Sequence, residues 1–210
     1  MPVTAQPPER ILLRGRLTGE PPVGMQLRAL KVADAVAVAA AVAENLEHLK
    51  PWMPWAGVES ADPRFQRRRL AEAELQWSRG ADFGYGLFAT DGDTDRMLGA
   101  FGLTARRGPR TLEIGYWLRS DATGRGLATR AVGALTDVAV AQPDLDRVLV
   151  YCDEANHASA AIPRRLGYHL DRIVAVPPEA TAETGRQQEW VMRPAEWREL
   201  RAAEGRVEDR

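Results

Sequence analysis

The sequence predicts an α/β (α+β) protein with one mixed, mostly antiparallel central sheet of about seven strands and helices on both faces. Three observations predict it. The chain has 210 residues, which suits one full domain. Three strand-like runs joined by short turns stand in the middle of the chain and favour antiparallel pairing. Helices and strands then alternate toward the C-terminus, which indicates helices packed on the sheet.

The composition is that of a globular protein and excludes several functional classes. Hydrophobic residues make up 45% of the chain and charged residues 27%. Lys and Arg number 28 against 29 Asp and Glu, so no basic excess points to a nucleic-acid partner. One cysteine excludes an intramolecular disulfide, and with three histidines no metal site is expected. Since no long apolar run is present, we expect a cytoplasmic protein without membrane association.

The distribution of residues along the chain predicts three parts. Residues 1–20 are expected to form an N-terminal tail or an extra strand, because prolines are followed there by a short apolar run. Residues 21–200 hold the regular elements and therefore the domain. Residues 201–210 are polar and predict a C-terminal tail.

The first half of the chain predicts two strands and two helices. Ile11–Leu17 and Met25–Leu30 resemble strands. Asp34–Leu49 is rich in Ala and Val and predicts one largely buried helix, which a proline ends. A second helix is expected from Asp62 to Gly80, because Asp is a preferred N-cap and proline suits the first helical position.

The second half predicts the rest of the sheet and two further helices. The turn-forming residues between its runs mark where each element ends. The predicted elements are strands at 83–90, 97–104 and 111–118, a helix at 126–141, a strand at 147–152, a helix at 156–166, and strands at 168–174 and 185–192.

Two glycines mark the turn between the strand at 111–118 and the following helix. Gly124 and Gly126 can adopt backbone angles closed to other residues, and without a Cβ they let a ligand approach. The amides at the start of the helix suit a pyrophosphate, and Arg125 is placed to add a charge-assisted contact. A turn in which the glycines only reverse the chain remains an alternative, since short glycine patterns recur by chance.

Residues around this turn resemble the acyl-CoA motif of the GNAT superfamily of N-acetyltransferases, Gln/Arg-x-x-Gly-x-Gly/Ala. Gly126 and Ala128 fill its fourth and sixth positions, but Thr123 stands in the first, where Gln or Arg is usual. The pyrophosphate would therefore depend more on backbone amides and on Arg125.

Two further segments resemble the same superfamily. Asn156-His-Ala-Ser159, with Arg-Leu-Gly-Tyr at 165–168, is similar to its Asn-x-x-Ser…Leu-Gly-Phe segment. Glu-His-Leu-Lys-Pro-Trp-Met-Pro-Trp at 47–55 resembles the His-Leu-x-Pro-Trp-x-x-Trp segment of the branch related to ribosomal-protein N-terminal (Rim-type) acetyltransferases. Glu-Trp at 196–197 fits the usual ending of that branch.

The resemblance implies a GNAT-like fold, in which two adjacent parallel strands splay apart and the pantetheine arm of acetyl-CoA lies between them. These would be the strands at 111–118 and 147–152. No metal is implied. The residues that the resemblance and the turn chemistry assign to acetyl-CoA are Tyr116, Trp117, Leu118, Thr123, Gly124, Arg125, Gly126, Leu127, Ala128, Thr129, Asn156 and Ser159.

Catalytic candidates follow from the same resemblance. Amides near residues 116–118 could bond the thioester carbonyl and stabilise the oxyanion that forms on attack. Ser159 could donate a hydrogen bond to the departing thiolate. Pro163 occupies the position where many members of the superfamily carry a tyrosine that acts as the general acid. Glu113 is the predicted base, acting directly or through water, and its rival is His48, which would lie at the substrate site near the acceptor channel.

Several alternatives stay open at this stage. Asn156 could bind the pantetheine amides, cap its own helix, or do both. Ser159 could bond only its own backbone, and Glu113 could simply face solvent. Trp52 and Trp55 would contact the acceptor from a rigid aromatic loop, and core packing is an equal expectation for both rings.

The predicted function is acyl transfer from acyl-CoA to a primary amine by direct attack in a ternary complex, with acetyl as the expected group and a larger acyl group as an alternative. The acceptor could be a protein N-terminus, a lysine or a small molecule, and a homodimer is one expected assembly. The alternative is a catalytically weak CoA-binding sensor or regulatory module, which the departures at Thr123 and Pro163 keep open.

Overall fold

Eight strands form one mixed sheet in the order β1-β2-β3-β4-β5-β6-β8-β7, which confirms the predicted architecture of about seven strands. The structure is a computed structural model, and it describes residues 6–13, 24–91 and 94–208. The strands are β1 Arg10–Leu12, β2 Gly24–Ala29, β3 Asp82–Asp91, β4 Thr94–Thr104, β5 Thr111–Leu118, β6 Arg147–Asp153, β7 His169–Ala175 and β8 Arg186–Met192.

Six α-helices and three short 3₁₀ helices are seen in the described ranges. The α-helices are α1 Ala35–Ala43, α2 Leu46–Leu49, α3 Pro63–Ser78, α4 Leu127–Val140, α5 His157–Arg165 and α6 Pro194–Glu208. The 3₁₀ helices are Val32–Asp34, Val58–Ala61 and Ser120–Ala122. Asp62 caps α3 as expected, its carboxylate accepting from the Arg64 amide at 2.7 Å.

Both ends of the chain add to the predicted elements. Residues 10–12 pair with β2 at the sheet edge, as the extra-strand alternative requires, whereas residues 14–17 of that predicted strand lie outside the described residues. Residues 201–208, expected as a polar tail, continue α6. No helix in the described ranges is long and apolar enough to cross a membrane.

The expected single helix at 34–49 is wrong in one respect, because it divides into α1 and α2. Asn45 leaves helical geometry with φ −123° and ψ 14°. Its side-chain amide donates to the Ala41 carbonyl at 2.8 Å, and its Oδ1 faces another part of the chain. A tertiary contact therefore overrides the local helical preference of this Ala-rich segment.

The parallel pair of strands splays as predicted. β5 and β6 pair only from Thr111 opposite Arg147 to Glu113 opposite Leu149. β5 nevertheless continues to Leu118, still paired with β4, and β6 continues to Asp153. The strands are thus separated over their C-terminal halves, and the β6-facing backbone edge of β5 is open there.

Alternate residues of β5 enter two hydrophobic clusters on opposite faces of the sheet. Leu112, Ile114 and Leu118 pack in the cluster that includes α4. Trp117 packs against the second cluster, which includes α1 and Leu49 of α2. Helices therefore cover both faces, and the splay lies between them.

Candidate active site

A cavity of about 780 Å³ lies at the splayed end of β5 and β6 and brings most of the predicted site residues together. Its lining comes from α2 and the loop after it, the end of β5, the turn before α4, α4 itself and α5. The predicted residues that line it are His48, Trp52, Tyr116, Trp117, Leu118, Thr123, Gly124, Gly126, Leu127, Ala128, Thr129, Asn156 and Ser159.

Three of the predicted site residues do not line the cavity, and eight residues that do line it were not predicted from the sequence. Arg125 lies between the two turn glycines but does not line the cavity, and neither do Glu113 or Trp55. The missed residues are Leu49, Met53, Ala122, Arg130, Ala158, Ala161, Ile162 and Arg165. On α5 the spacing of 158, 161, 162 and 165 is that of one helix face, so helical periodicity could have found these four.

The turn before α4 provides an open cradle of backbone. Gly124 and Gly126 have φ of +73° and +72°, which L side chains rarely adopt. A Cβ built on either glycine meets no other protein atom within 4 Å, so the space beside the turn is free. Gly126 is the N-cap of α4, and no side chain caps this helix. The residues present therefore fit a pyrophosphate bound at the helix N-terminus.

Thr123 cannot take over the missing Gln or Arg of the GNAT motif in this conformation. Its hydroxyl donates to the Ser120 carbonyl at 2.7 Å within its own turn. Another cation, Arg165 in the last turn of α5, lines the same cavity with an exposed side chain. A guanidinium exposed to an anionic ligand in this way can form charge-assisted hydrogen bonds.

Asn156 serves as the cap of α5 and keeps one polar group available. Its Oδ1 accepts from the Ser159 amide at 3.0 Å, the geometry of a helix N-cap. The Nδ2 donor has no partner within the described ranges, and the residue lines the cavity. Both alternatives considered for Asn156 are therefore compatible with one conformation.

Ser159, which lines the cavity, lies in a group of hydroxyl and thiol side chains. The Tyr116 hydroxyl is 3.1 Å from Ser159 Oγ and donates to the Ser159 carbonyl at 3.1 Å. Burial raises the pKa of Tyr116 above its ordinary value, although the hydrogen bond with Ser159 acts in the opposite direction. Burial likewise raises the pKa of Cys152 to about 11, with Ser159 within hydrogen-bonding reach of its thiol. Both groups stay protonated near neutral pH.

The prediction of Glu113 as base is not supported by its surroundings. Its carboxylate is buried and accepts from Arg106 Nη2 at 2.7 Å and from Arg107 Nε at 2.7 Å. Burial alone would raise the pKa of Glu113, but the hydrogen bonds from the two arginines outweigh it and hold the pKa below the ordinary value. A carboxylate of lowered pKa, held away from the cavity, is a poor proton acceptor for an amine.

The opposite wall of the cavity is aromatic and apolar. Trp52, Met53 and Trp117 line it together with His48 and Leu49. Trp55 is 45% exposed and packs against Trp117 with ring centroids 6.2 Å apart, so it supports this wall from outside. None of the cavity-lining residues in the described part of the chain is Asp or Glu.

Hydrogen bonds and an ion pair join this wall to the glycine turn. Asn45, between α1 and α2, accepts from the Ser120 amide at 2.8 Å and from its hydroxyl at 3.0 Å. Glu44 pairs with Arg119 at 2.6 Å. The buried Asn45 thus fixes the position of α2 relative to the segment that enters the turn.

Comparison with known proteins gives the family. The model of the acetyltransferase (GNAT) domain matches residues 25–169. YdaF of Bacillus subtilis, a protein named for ribosomal N-acetyltransferase activity, is 27% identical over 142 residues, which cover 68% of this chain and 76% of YdaF.

Solved structures share the fold. The ribosomal-protein-S5-alanine acetyltransferase of Vibrio fischeri superposes with a TM-score of 0.75 at 21% identity, covering 89% of this chain and 98% of that one. RimJ of Mycobacterium smegmatis, in complex with CoA-disulfide, gives a TM-score of 0.74 at 20% identity, covering 82% and 83%. Because the family model spans more than half of the sequence, the chain belongs to the GNAT acetyltransferases, enzymes that take their acetyl group from acetyl-CoA.

Proposed function

We propose that this enzyme acetylates the α-amine of a protein N-terminus. The observation that carries the proposal is the composition of the cavity wall: within the described ranges no carboxylate lines it, and His48 is the one imidazole that does. An α-amine has a pKa of about 8 and is partly neutral already, whereas a lysine amine titrates about two units higher. Such a wall therefore suits an α-amine better than a lysine.

In this proposal one side of the cavity binds acetyl-CoA and the other binds the acceptor. The glycine turn and the first turn of α4 hold the pyrophosphate, and Arg165 takes a further phosphate charge. Asn156 Nδ2 and the open edge of β5 bond the pantetheine arm. His48, Trp52, Met53 and Trp117 receive the N-terminal segment of the acceptor, where the aromatic rings exclude water.

The reaction needs little from the protein beyond positioning and hydrogen bonds. Acetyl-CoA supplies the thioester whose acetyl group the amine receives. The amine nitrogen attacks the carbonyl carbon, the carbon–sulfur bond breaks, and its electron pair leaves with sulfur. Amides near residues 116–118 bond the developing oxyanion, Ser159 donates to the departing thiolate, and His48 or solvent takes the amine proton. The name of YdaF, a ribosomal N-acetyltransferase, supports a ribosomal protein as acceptor.

The test compares two variants of a peptide that begins with Ala. The first has a free α-amine and carries Arg in place of each Lys. The second is blocked at its N-terminus and keeps its Lys residues. Each is incubated with acetyl-CoA, free thiol is followed, and mass spectrometry locates the acetyl group. We expect transfer to the free α-amine and none above background to the blocked peptide. Equal modification of the lysine peptide would refute the α-amine assignment. Tight CoA binding without thiol release from any amine would favour the sensor alternative.

A further inference from the structure

We infer that Tyr116 is a positioning residue for thiolate departure, its hydroxyl orienting the Ser159 hydroxyl toward the sulfur. The inference rests on the proposed function, in which Ser159 donates to the departing thiolate. It assigns a role to the side chain of Tyr116, whereas the GNAT resemblance implies a role only for the backbone near that residue. The phenol enters from β5, across the splay, and not from α5, where Pro163 occupies the usual position of a tyrosine.

The Tyr116 hydroxyl contacts two oxygen atoms of Ser159. It lies 3.1 Å from both the Oγ and the carbonyl oxygen of Ser159. The phenol has one proton for two acceptors at the same distance, and the positioning role requires the orientation in which it donates to Ser159 Oγ instead of to the carbonyl. In that orientation the phenol occupies a lone pair of Oγ and turns the serine proton elsewhere. The serine proton can then turn to the Cys152 thiol or to the cavity, which Tyr116 and Ser159 both line, and a thiolate in the cavity is the stronger acceptor because it is charged. A chain of two hydrogen bonds, from phenol to serine to sulfur, polarises the serine O–H and strengthens its contact with a negative sulfur.

The phenol is held rigidly enough for this task. Tyr116 stands opposite Phe101 in the β4–β5 ladder, and the two rings stack with centroids 5.9 Å apart at 26°. Its raised pKa keeps the hydroxyl protonated throughout the working pH range, so the donor does not disappear as the amine deprotonates. No proton leaves Tyr116 in the reaction: the thiolate receives a hydrogen bond, and the amine proton goes to His48 or water.

A purely structural role is the competing explanation, because the same hydroxyl ties β5 to α5. The chain offers a matched control for it. Tyr168 and Thr136 form another buried pair of hydroxyls, 2.7 Å apart, away from the cavity. Tyr116→Phe and Tyr168→Phe each remove one buried phenol oxygen and retain the ring, so their effects on unfolding temperature should be similar. Only Tyr116→Phe should alter the chemistry.

The decisive measurement is the pKa of the thiol of CoA bound to the protein, followed as thiolate ultraviolet absorption against pH. We expect that pKa to be higher in Tyr116→Phe than in the wild type and unchanged in Tyr168→Phe. In acetyl transfer, kcat should fall by up to about tenfold in Tyr116→Phe, as expected for the loss of one neutral hydrogen bond that acts through the serine, with the KM for acetyl-CoA changed less than twofold. Adding Tyr116→Phe to Ser159→Ala should then cost less than a further twofold, because the phenol acts through the serine.

Each outcome decides one of the two hypotheses. An unchanged thiol pKa in Tyr116→Phe, or fully additive losses in the double variant, would overturn the positioning role. If the wild type transferred acetyl to no amine, the proposed function would fail, while the titration of bound CoA would still test Tyr116. A similar rise in the thiol pKa of bound CoA in Tyr168→Phe would also overturn the positioning role, because loss of a buried phenol away from the cavity would then cause the same change.

Discussion

The two walls of the cavity are built from different chemistry. The wall that we propose for acetyl-CoA consists of a glycine turn, two helix N-termini and small polar side chains, with backbone available at Gly124 and Gly126. The facing wall is made of bulky side chains, Trp52, Met53 and Trp117, with His48 as its titratable group. Backbone recognises a ligand that never changes, whereas side chains can be exchanged to suit different acceptors. Family membership therefore identifies the donor and leaves the acceptor to experiment.

The largest effect is expected from a substitution in the acetyl-CoA wall. Gly126→Val should raise the KM for acetyl-CoA tenfold or more and leave the KM for the acceptor peptide within about twofold, because a branched Cβ fills the space beside the turn. Gly108→Val is the control, since Gly108 also has positive φ and open space but lies outside the cavity. Steady-state kinetics and a melting curve on both variants separate strain from a blocked site. Equal KM values for acetyl-CoA in Gly126→Val and Gly108→Val would refute pyrophosphate binding at the turn.

A smaller effect is expected at the base position of the acceptor wall. His48→Gln should lower kcat about tenfold and flatten the acidic limb of kcat against pH, because glutamine does not titrate. His157→Gln, on the exposed start of α5, should leave the profile unchanged. The pH profiles are measured with one α-amine peptide at saturating acetyl-CoA. An acidic limb that persists in His48→Gln would assign proton removal to solvent.

Substrate contact by the aromatic loop is tested with its two tryptophans. Trp52→Ala should raise the KM for the acceptor about fivefold and leave the KM for acetyl-CoA unchanged, because a lining ring is lost. Trp55→Ala should change either constant less than twofold, since that ring only supports Trp117 from outside. The reverse ranking would place the acceptor on the outer surface of the loop.

The smallest effect on turnover is expected at Glu113. Glu113→Gln should change kcat less than twofold but lower the free energy of unfolding by about 2 kcal/mol near neutral pH, because the ionised acceptor of two arginines is lost. The folded-state pKa of Glu113 is lowered, so its stabilisation is present above the ordinary carboxyl range and disappears as pH falls through the folded value. Denaturant unfolding at neutral and acidic pH measures this. A hundredfold loss of kcat would restore Glu113 as the base.

The sequence predicts those features that depend on local chemistry. The spacing of Gly124 and Gly126 indicates the turn, and Asp62 before proline indicates the start of α3. Asn156 and Ser159 predict the start of α5. In each case the decisive contacts join residues a few positions apart, so a linear pattern contains them.

Features that depend on contacts distant in the chain were missed. The break at Asn45 arises from its bonds to Ser120, which lies on another element, and no local pattern distinguishes it from a helical residue. Alternation on β5 places Glu113 on one face but cannot show that two arginines of the preceding loop bind it. The hydroxyl of Tyr116 meets Ser159 only because β5 and β6 splay.

The bridge from Asn45 to Ser120 has a thermodynamic consequence. Since it joins the acceptor wall to the segment before the glycine turn, any order that a ligand imposed on one wall would extend to the other and lower the entropy that the second ligand must lose. Such coupling would be reciprocal, each substrate raising the affinity for the other by the same factor. Mass action then favours the doubly loaded enzyme over either half-loaded form, which shortens the time that a bound thioester is exposed to hydrolysis.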